Sequence, residues 1–224
     1  YTRAALGIEA PLITVEVHLS NGLPGLTMVG LPETTVKEAR DRVRSALINS
    51  GYAFPAKKIT INLAPADLPK EGGRYDLPIA LALLVASEQL NTTRLNQYEF
   101  VGELALTGGL RGVPGAIPSA MEAIKAGRRI VVSSDNAAEV GLIGGSDCLV
   151  ADHLQEVCAF LAGQTSLSPP LAEAPARDER YEDLLDVIGE QQGKRALEIV
   201  AAGGHNLLLI GPPGTGNTML ASRH

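Results

Sequence analysis

Residues 77–90 read LPIALALLVASEQL, almost wholly apolar. As a helix this stretch has no polar face, so it must be covered on every side. It is too short to cross a bilayer, which takes about 20 apolar residues. A helix of this kind therefore demands a layered fold, with sheet or helix packed around it.

The surrounding pattern supplies those layers. Residues 12–19 (LITVEVHL) alternate and are β-branched, and residues 26–30 repeat the strand signal after a Gly-Leu-Pro-Gly turn. Thr35-Val36-Lys37-Glu38 has the form of a capping box. Val36, Ala39, Val43, Ala46 and Leu47 make one apolar stripe behind it, and Gly51 supplies a stop. Residues 58–63 (KITINL) read as a half-buried strand. Further strands are expected at 100–106, 130–133 and 148–151, with helices at 119–126 and 154–161. Strand–helix alternation of this kind predicts an α/β (α+β) layer fold.

At about 150 residues per domain, 224 residues suggest a boundary. One compositional break exists: residues 165–180 (TSLSPPLAEAPARDER) are rich in Pro, Ala and charge with no apolar period, and predict an extended or mobile linker. The expected organisation is a domain over 1–164, a linker over 165–180 and the start of a second domain over 181–224. No apolar run reaches about 18 residues, so no membrane-spanning helix is expected. No basic-then-apolar leader opens the sequence, and two cysteines, Cys148 and Cys158, are too few for a disulfide framework. A cytoplasmic location is the expectation. The net charge of −6 argues against a chain-wide nucleic-acid footprint, and 4% aromatics without Trp argue against stacking platforms.

The strongest motif lies near the C-terminal end. Residues 205–210 (HNLLLI) read as a short buried strand, followed at once by Gly211, Pro212, Pro213, Gly214, Thr215, Gly216, Asn217 and Thr218. A phosphate-binding loop needs G-x-x-x-x-G-K-[ST] between strand and helix. Its glycines let backbone N–H groups curl around phosphate oxygens, and Thr218 stands where a hydroxyl reaches Mg²⁺. The lysine is replaced by Asn217, which can donate a hydrogen bond but brings no charge. The competing reading is a plain Gly/Pro turn. Weak nucleotide binding without hydrolysis is expected of these 224 residues. The six residues after Thr218 hold no acidic strand, sensor or arginine finger.

Two loops in the first block carry polar residues. In residues 62–78 (NLAPADLPKEGGRYDLP), Asp76 and Lys70 are candidates for catalysis. The alternative makes Asp76 a helix N-cap with Pro78 in the first turn, and that is the favoured reading. Residues 102–115 (GELALTGGLRGVPG) form a glycine-rich, hairpin-like segment whose glycines are expected to serve turns.

Together GLPGLTMVGLPETTVKEARDRVRSALINSG, NLAPADLPKEGGRYDLPIAL, GELALTGGLRGVPGAIP and AAGGHNLLLIGPPGTG cover nearly the entire chain. These stretches resemble the ComM/YifB family of magnesium-chelatase-like AAA+ proteins. The segment DVIGEQ (186–191) is similar to the AAA+ entry segment, with Glu190 where Gln is usual. That resemblance implies adenine contact by Val187 and Ile188. It also implies a Lon-protease-like, ribosomal-S5-domain-2-like first domain, a hexameric AAA+ module using ATP and Mg²⁺, and ATP-driven branch migration of DNA during transformation. In a Lon-type alignment the nucleophilic serine falls on Asp76 and the lysine on Ile117. The resemblance therefore implies a domain without protease chemistry, with Lys70 a poor substitute.

Two other functions stay open. One is a chaperone-like ATPase whose first domain binds protein partners. The other is a magnesium chelatase subunit, for which scattered His18, His153, His205 and His224 offer no metal spacing. Residues 33–76 hold eight basic side chains against six acidic ones. Arg40, Arg44, Lys57 and Lys58 are candidates for salt-sensitive contact with DNA phosphates. The alternative is a solvated helix face laced by Lys37–Asp41 and Glu38–Arg42 pairs.

Overall fold

The computed structural model describes residues 1–30, 33–143, 145–170, 183–212 and 214–222. Two compact units emerge, Tyr1–Glu173 and Ala174–His224, each described here by itself.

In the first unit, β1 (Thr2–Arg3), β2 (Leu12–Ser20), β3 (Gly25–Val29) and β4 (Lys58–Ala64) form a mixed sheet of order β1-β2-β4-β3. β2 runs antiparallel to β4 with Val17 opposite Ile61, and β3 runs parallel to β4 with Met28 opposite Ile61. Alternation works as read: Ile59, Ile61 and Leu63 are buried, while Lys58 is exposed. Helix α1 (Glu33–Asn49) sets Ala39, Val43, Ala46 and Leu47 into the same core. Gly51 (φ +84°) ends it, its N–H reaching the Ile48 carbonyl at 3.0 Å and Tyr52 N–H the Leu47 carbonyl at 2.9 Å. The helix begins at Glu33, so Thr35 sits inside the first turn and is not the cap that the capping-box pattern predicts.

Helix α2 (Asp76–Ala86) is the apolar stretch, and its burial is as expected: Leu77, Ile79, Ala80, Leu81, Leu83 and Leu84 are all sealed from solvent. It touches β2, α1, β5 (Tyr98–Phe100) and β6 (Glu103–Leu104), all of which share its core. It stops at Ala86, short of Leu90, because the Ser87 hydroxyl takes the Leu83 carbonyl at 2.8 Å and Glu88 turns left-handed (φ +60°).

The expected strand over 100–106 is interrupted. β5 ends at Phe100, and β6 pairs with β7 (Leu110–Arg111) in a hairpin, as the glycines around 108 suggest. β5 also heads a parallel sheet, β5-β8-β9, with β8 (Arg129–Ser133) and β9 (Cys148–Ala151). Helix α3 (Ala116–Lys125) starts three residues earlier than the periodicity suggests, directly after left-handed Gly115. Ala116, Ala120 and Ala123 bring it close to Ile130 and Val132. Helices α4 (Ala137–Gly141) and α5 (Leu154–Leu161) complete the unit.

Part of the proline-rich segment is held in place. The Ser168 carbonyl accepts from Val150 N–H at 3.0 Å, and Leu167 packs on the core. Residues 171–180 of that segment, with 181 and 182 after it, lie outside the described residues.

In the second unit, α6 (Gln191–Gly203) and α7 (Asn217–Ala221) enclose a small core of Val187, Leu197 and Leu220. Gly193 permits this: a Cβ there would lie 2.7 Å from a Leu220 methyl. The expected strand over 205–210 is not formed. Leu208 and Ile210 are 79% and 85% exposed, and no partner strand stands beside them among the described residues. A lone strand leaves its N–H and C=O groups without a ladder, so the apolar run alone does not make one. No described helix is long and apolar enough to cross a membrane.

Candidate functional site

The phosphate-loop motif forms a tight turn at the head of α7. Gly214 (φ +89°) and Gly216 (φ +84°) are left-handed, and Gly216 is the residue before the helix. The Thr215 hydroxyl donates to the Pro212 carbonyl at 2.9 Å. A Cβ on Gly211 would lie 2.6 Å from Thr215 Oγ1 and 3.0 Å from the Asn217 amide nitrogen, so any larger residue would displace these two side chains. Thr218 is exposed in the first turn of α7 and Asn217 is half-buried. Pro213 lies outside the described residues, as does His224.

The two residues implied to face adenine part ways: Val187 is 4% exposed in the core with Leu197 and Leu220, and Ile188 is 96% exposed. Gly189 (φ +79°) and Glu190 (φ +49°) make the turn between Ile188 and α6. A magnesium-bound polyphosphate would be held by backbone N–H groups of the turn around Gly214 and Gly216 and by the exposed Thr218 hydroxyl. Asn217 brings no charge and less reach than the lysine of the motif, and no strand is formed over 205–210 ahead of the turn. Among the described residues no cluster of His, Cys, Asp or Glu can hold a metal ion by itself.

In the first unit, Asp76 is not a cap. Tyr75 takes the N-cap position, and Asp76 is fully buried as the first residue of α2. Arg42 of α1 donates to it through Nε at 2.6 Å and Nη2 at 3.2 Å, and Leu104 N–H adds a bond at 3.3 Å. Burial pushes the Asp76 carboxyl up to about 6, although Arg42 and the Leu104 N–H pull it the other way. The same hydrogen bond raises Arg42. At neutral pH the pair is ionised. Lys70 is buried too, its ammonium donating to the carbonyls of Pro65 and Leu68, and burial lowers its pKa. Ile117 is half-buried on α3. A carboxylate clasped by Arg42 and an isoleucine provide neither nucleophile nor base.

Arg74 is likewise interior, donating to the Pro114 carbonyl at 3.1 Å and to Ser119 Oγ at 2.9 Å. Nothing in the local sequence distinguishes Arg42 or Arg74 from surface basics, since the partners that bury them are 34 and 45 residues away. The eight basic residues of 33–76 therefore divide. Arg42, Lys70 and Arg74 serve the interior, while Arg40, Arg44 and Lys57 line one groove of about 480 Å³ with Lys58 at the start of β4. The Glu38–Arg42 pair forms at 3.6 Å, but Asp41 takes Arg40 at 3.0 Å instead of Lys37.

The sequence was compared with families and with curated proteins. The family model described as "Subunit ChlI of Mg-chelatase" matches residues 15–136, and "Magnesium chelatase, subunit ChlI" matches 183–224. The chain is 76% identical over 223 residues to the protein YifB of Salmonella typhimurium and 74% to YifB of Escherichia coli. It is 56% identical over 230 residues to competence protein ComM of Haemophilus influenzae. Each alignment covers all of this chain and 44–45% of the relative, so the chain spans less than half the length of these proteins. With full-length alignment to both names and the chelatase models on both units, the chain belongs to the ComM/YifB family of magnesium-chelatase-like proteins.

Proposed function

We propose that this chain is the N-terminal part of a ComM-type AAA+ ATPase, a hexameric motor that uses ATP and Mg²⁺ to drive branch migration of DNA during transformation and recombination. The observation that carries the reading is the 56% identity, over the whole chain, to a protein named for competence. The glycine turn at the head of α7 supports it from the other end.

In this reading residues 1–164 are a non-proteolytic, Lon-like domain of the ribosomal-S5-domain-2 type, 165–180 a linker and 181–224 the opening of the AAA+ module. Gly211, Pro212, Pro213, Gly214, Thr215, Gly216 and Asn217 hold the phosphates, Thr218 orients Mg²⁺, and Val187 and Ile188 lie toward adenine. Magnesium-ATP supplies the phosphoryl-transfer energy. The residues in hand bind and orient it, but Asn217 leaves the terminal phosphates without their counter-charge, so this chain binds nucleotide weakly and is not itself catalytic. The motor works in the cytoplasm, where Cys148 and Cys158 stay reduced; both are buried and free.

The test is branch-point movement on a labelled three-strand junction by the intact protein with ATP. Movement that requires ATP is expected. No movement, with ATP-dependent refolding of a denatured client instead, would replace the motor by a chaperone-like ATPase whose first domain binds proteins. ATP-driven metal insertion into a tetrapyrrole would favour a chelatase subunit.

A further inference from the structure

The groove that gathers Arg40, Arg44 and Lys57 is a built feature of the first unit. Arg40 and Arg44 stand one turn apart on α1, and Phe54 and Lys57 form the facing wall in the loop that leads to β4. That loop is tied down, since the Lys57 carbonyl accepts from Gly25 N–H at 3.4 Å. Arg44 lies over the Phe54 ring, its guanidinium carbon 5.1 Å from the centroid, which fixes the fork at the groove wall. Asp41 is the single carboxylate in the lining, and it is taken by Arg40 at 3.0 Å. Among the described residues Arg44 and Lys57 have no ion-pair partner.

Like charges at i,i+4 disfavour a helix, so nothing in α1 itself calls for Arg40 and Arg44 together. Asp41 offsets only Arg40, so Arg44 and Lys57 keep uncompensated charge in a chain whose overall charge is −6. An anion in the groove would relieve it.

We infer that this groove binds the phosphodiester backbone of single-stranded DNA, with Arg40, Arg44 and Lys57 on consecutive phosphates and Lys58 at its margin. The inference rests on the DNA-motor reading for the identity of the strand. Guanidinium forks match phosphate oxygens bidentately, and phosphate contacts carry no base information, so binding is independent of sequence. At about 480 Å³ the groove has the scale of a small-ligand cleft. A flexible single strand can enter it, whereas a duplex presents its phosphates on a broad rigid cylinder that stays outside.

The experiment is anisotropy of a labelled mixed-sequence single strand titrated with this chain across a salt series, without nucleotide. The test variant is Arg40→Gln/Arg44→Gln/Lys57→Gln, which removes the charges at exposed positions and keeps polar, helix-compatible side chains, its fold checked by circular dichroism. A control, Arg111→Gln/Lys125→Gln/Arg195→Gln, removes equal charge elsewhere. Binding by the parent chain should weaken steeply with salt. The groove variant should lose at least about tenfold in affinity and flatten the log–log salt slope by about 2, at about 0.7 per lost phosphate contact. The control should match the parent. Absence of binding by the parent, or equal binding by the groove variant, overturns the inference. So does duplex binding as tight as the single strand, or equal competition by inorganic polyphosphate or poly-glutamate, which would assign a free anion or an acidic peptide. None of these readings involves ATP turnover, so failure at the groove leaves the motor reading to its own assay. A DNA-insensitive ATPase beside intact groove binding would fail the motor reading alone.

Discussion

Two residues, Asn217 and Asp76, carry most of the chemistry that separates this chain from the enzymes it resembles. Asn217 stands where the phosphate-loop pattern calls for lysine, just after left-handed Gly214 and Gly216. A hydrogen bond to a charged group contributes about 1.5–3 kcal/mol, so Asn217→Lys should tighten ATP by about tenfold or more. Titration of a fluorescent ATP analogue reads this, and unchanged affinity would show that the loop is not a phosphate site. Asp76, a candidate the sequence offered for catalysis, is spent on Arg42. Removing one partner of a buried pair leaves an uncompensated charge, so Arg42→Ala should cost about 3–5 kcal/mol at pH 8. The folded-state carboxyl, raised to about 6, holds its proton more tightly than the unfolded chain does. The stability that protonation contributes is therefore complete below the unfolded value and is lost as pH rises through about 6. Without Arg42 the shift grows, so the Arg42→Ala deficit should be smaller at pH 5 than at pH 8. Urea unfolding at the two pH values measures it, and equal deficits would contradict the assignment.

At the scale of elements, α2 is the keystone, because it touches α1, the mixed sheet through β2, the parallel sheet through β5, and the hairpin strand β6. Leu84 is fully buried in it, and Leu84→Ala should cost about 2–5 kcal/mol, read as a lower urea midpoint with unchanged slope. A cost below about 1 kcal/mol would mean that α2 is not central. Elements whose stability comes from their own periodicity were legible in the sequence: α2 from its unbroken apolar run, β4 from alternation, α5 from its stripe. What depends on distant partners was not. The start of α1 lies upstream of the box at Thr35. Asp76 reads as a cap because Arg42, 34 positions away, is invisible locally. Residues 205–210 have the composition of a strand but no neighbour among the described residues of their unit. The basic candidates Arg40, Arg44 and Lys57 could be named from sequence, and their shared groove emerges only when α1 and the loop before β4 close on each other.

At the scale of the whole molecule, the first unit offers a recessed basic groove, and the second offers a glycine turn at the head of α7. The proposed motor would couple nucleotide at the second to a DNA strand at the first. The most direct test is ATP turnover by the uninterrupted protein, with Lys at 217, in the presence and absence of forked DNA. The account predicts strong stimulation by the fork. Turnover indifferent to DNA but stimulated by an unfolded protein would contradict it.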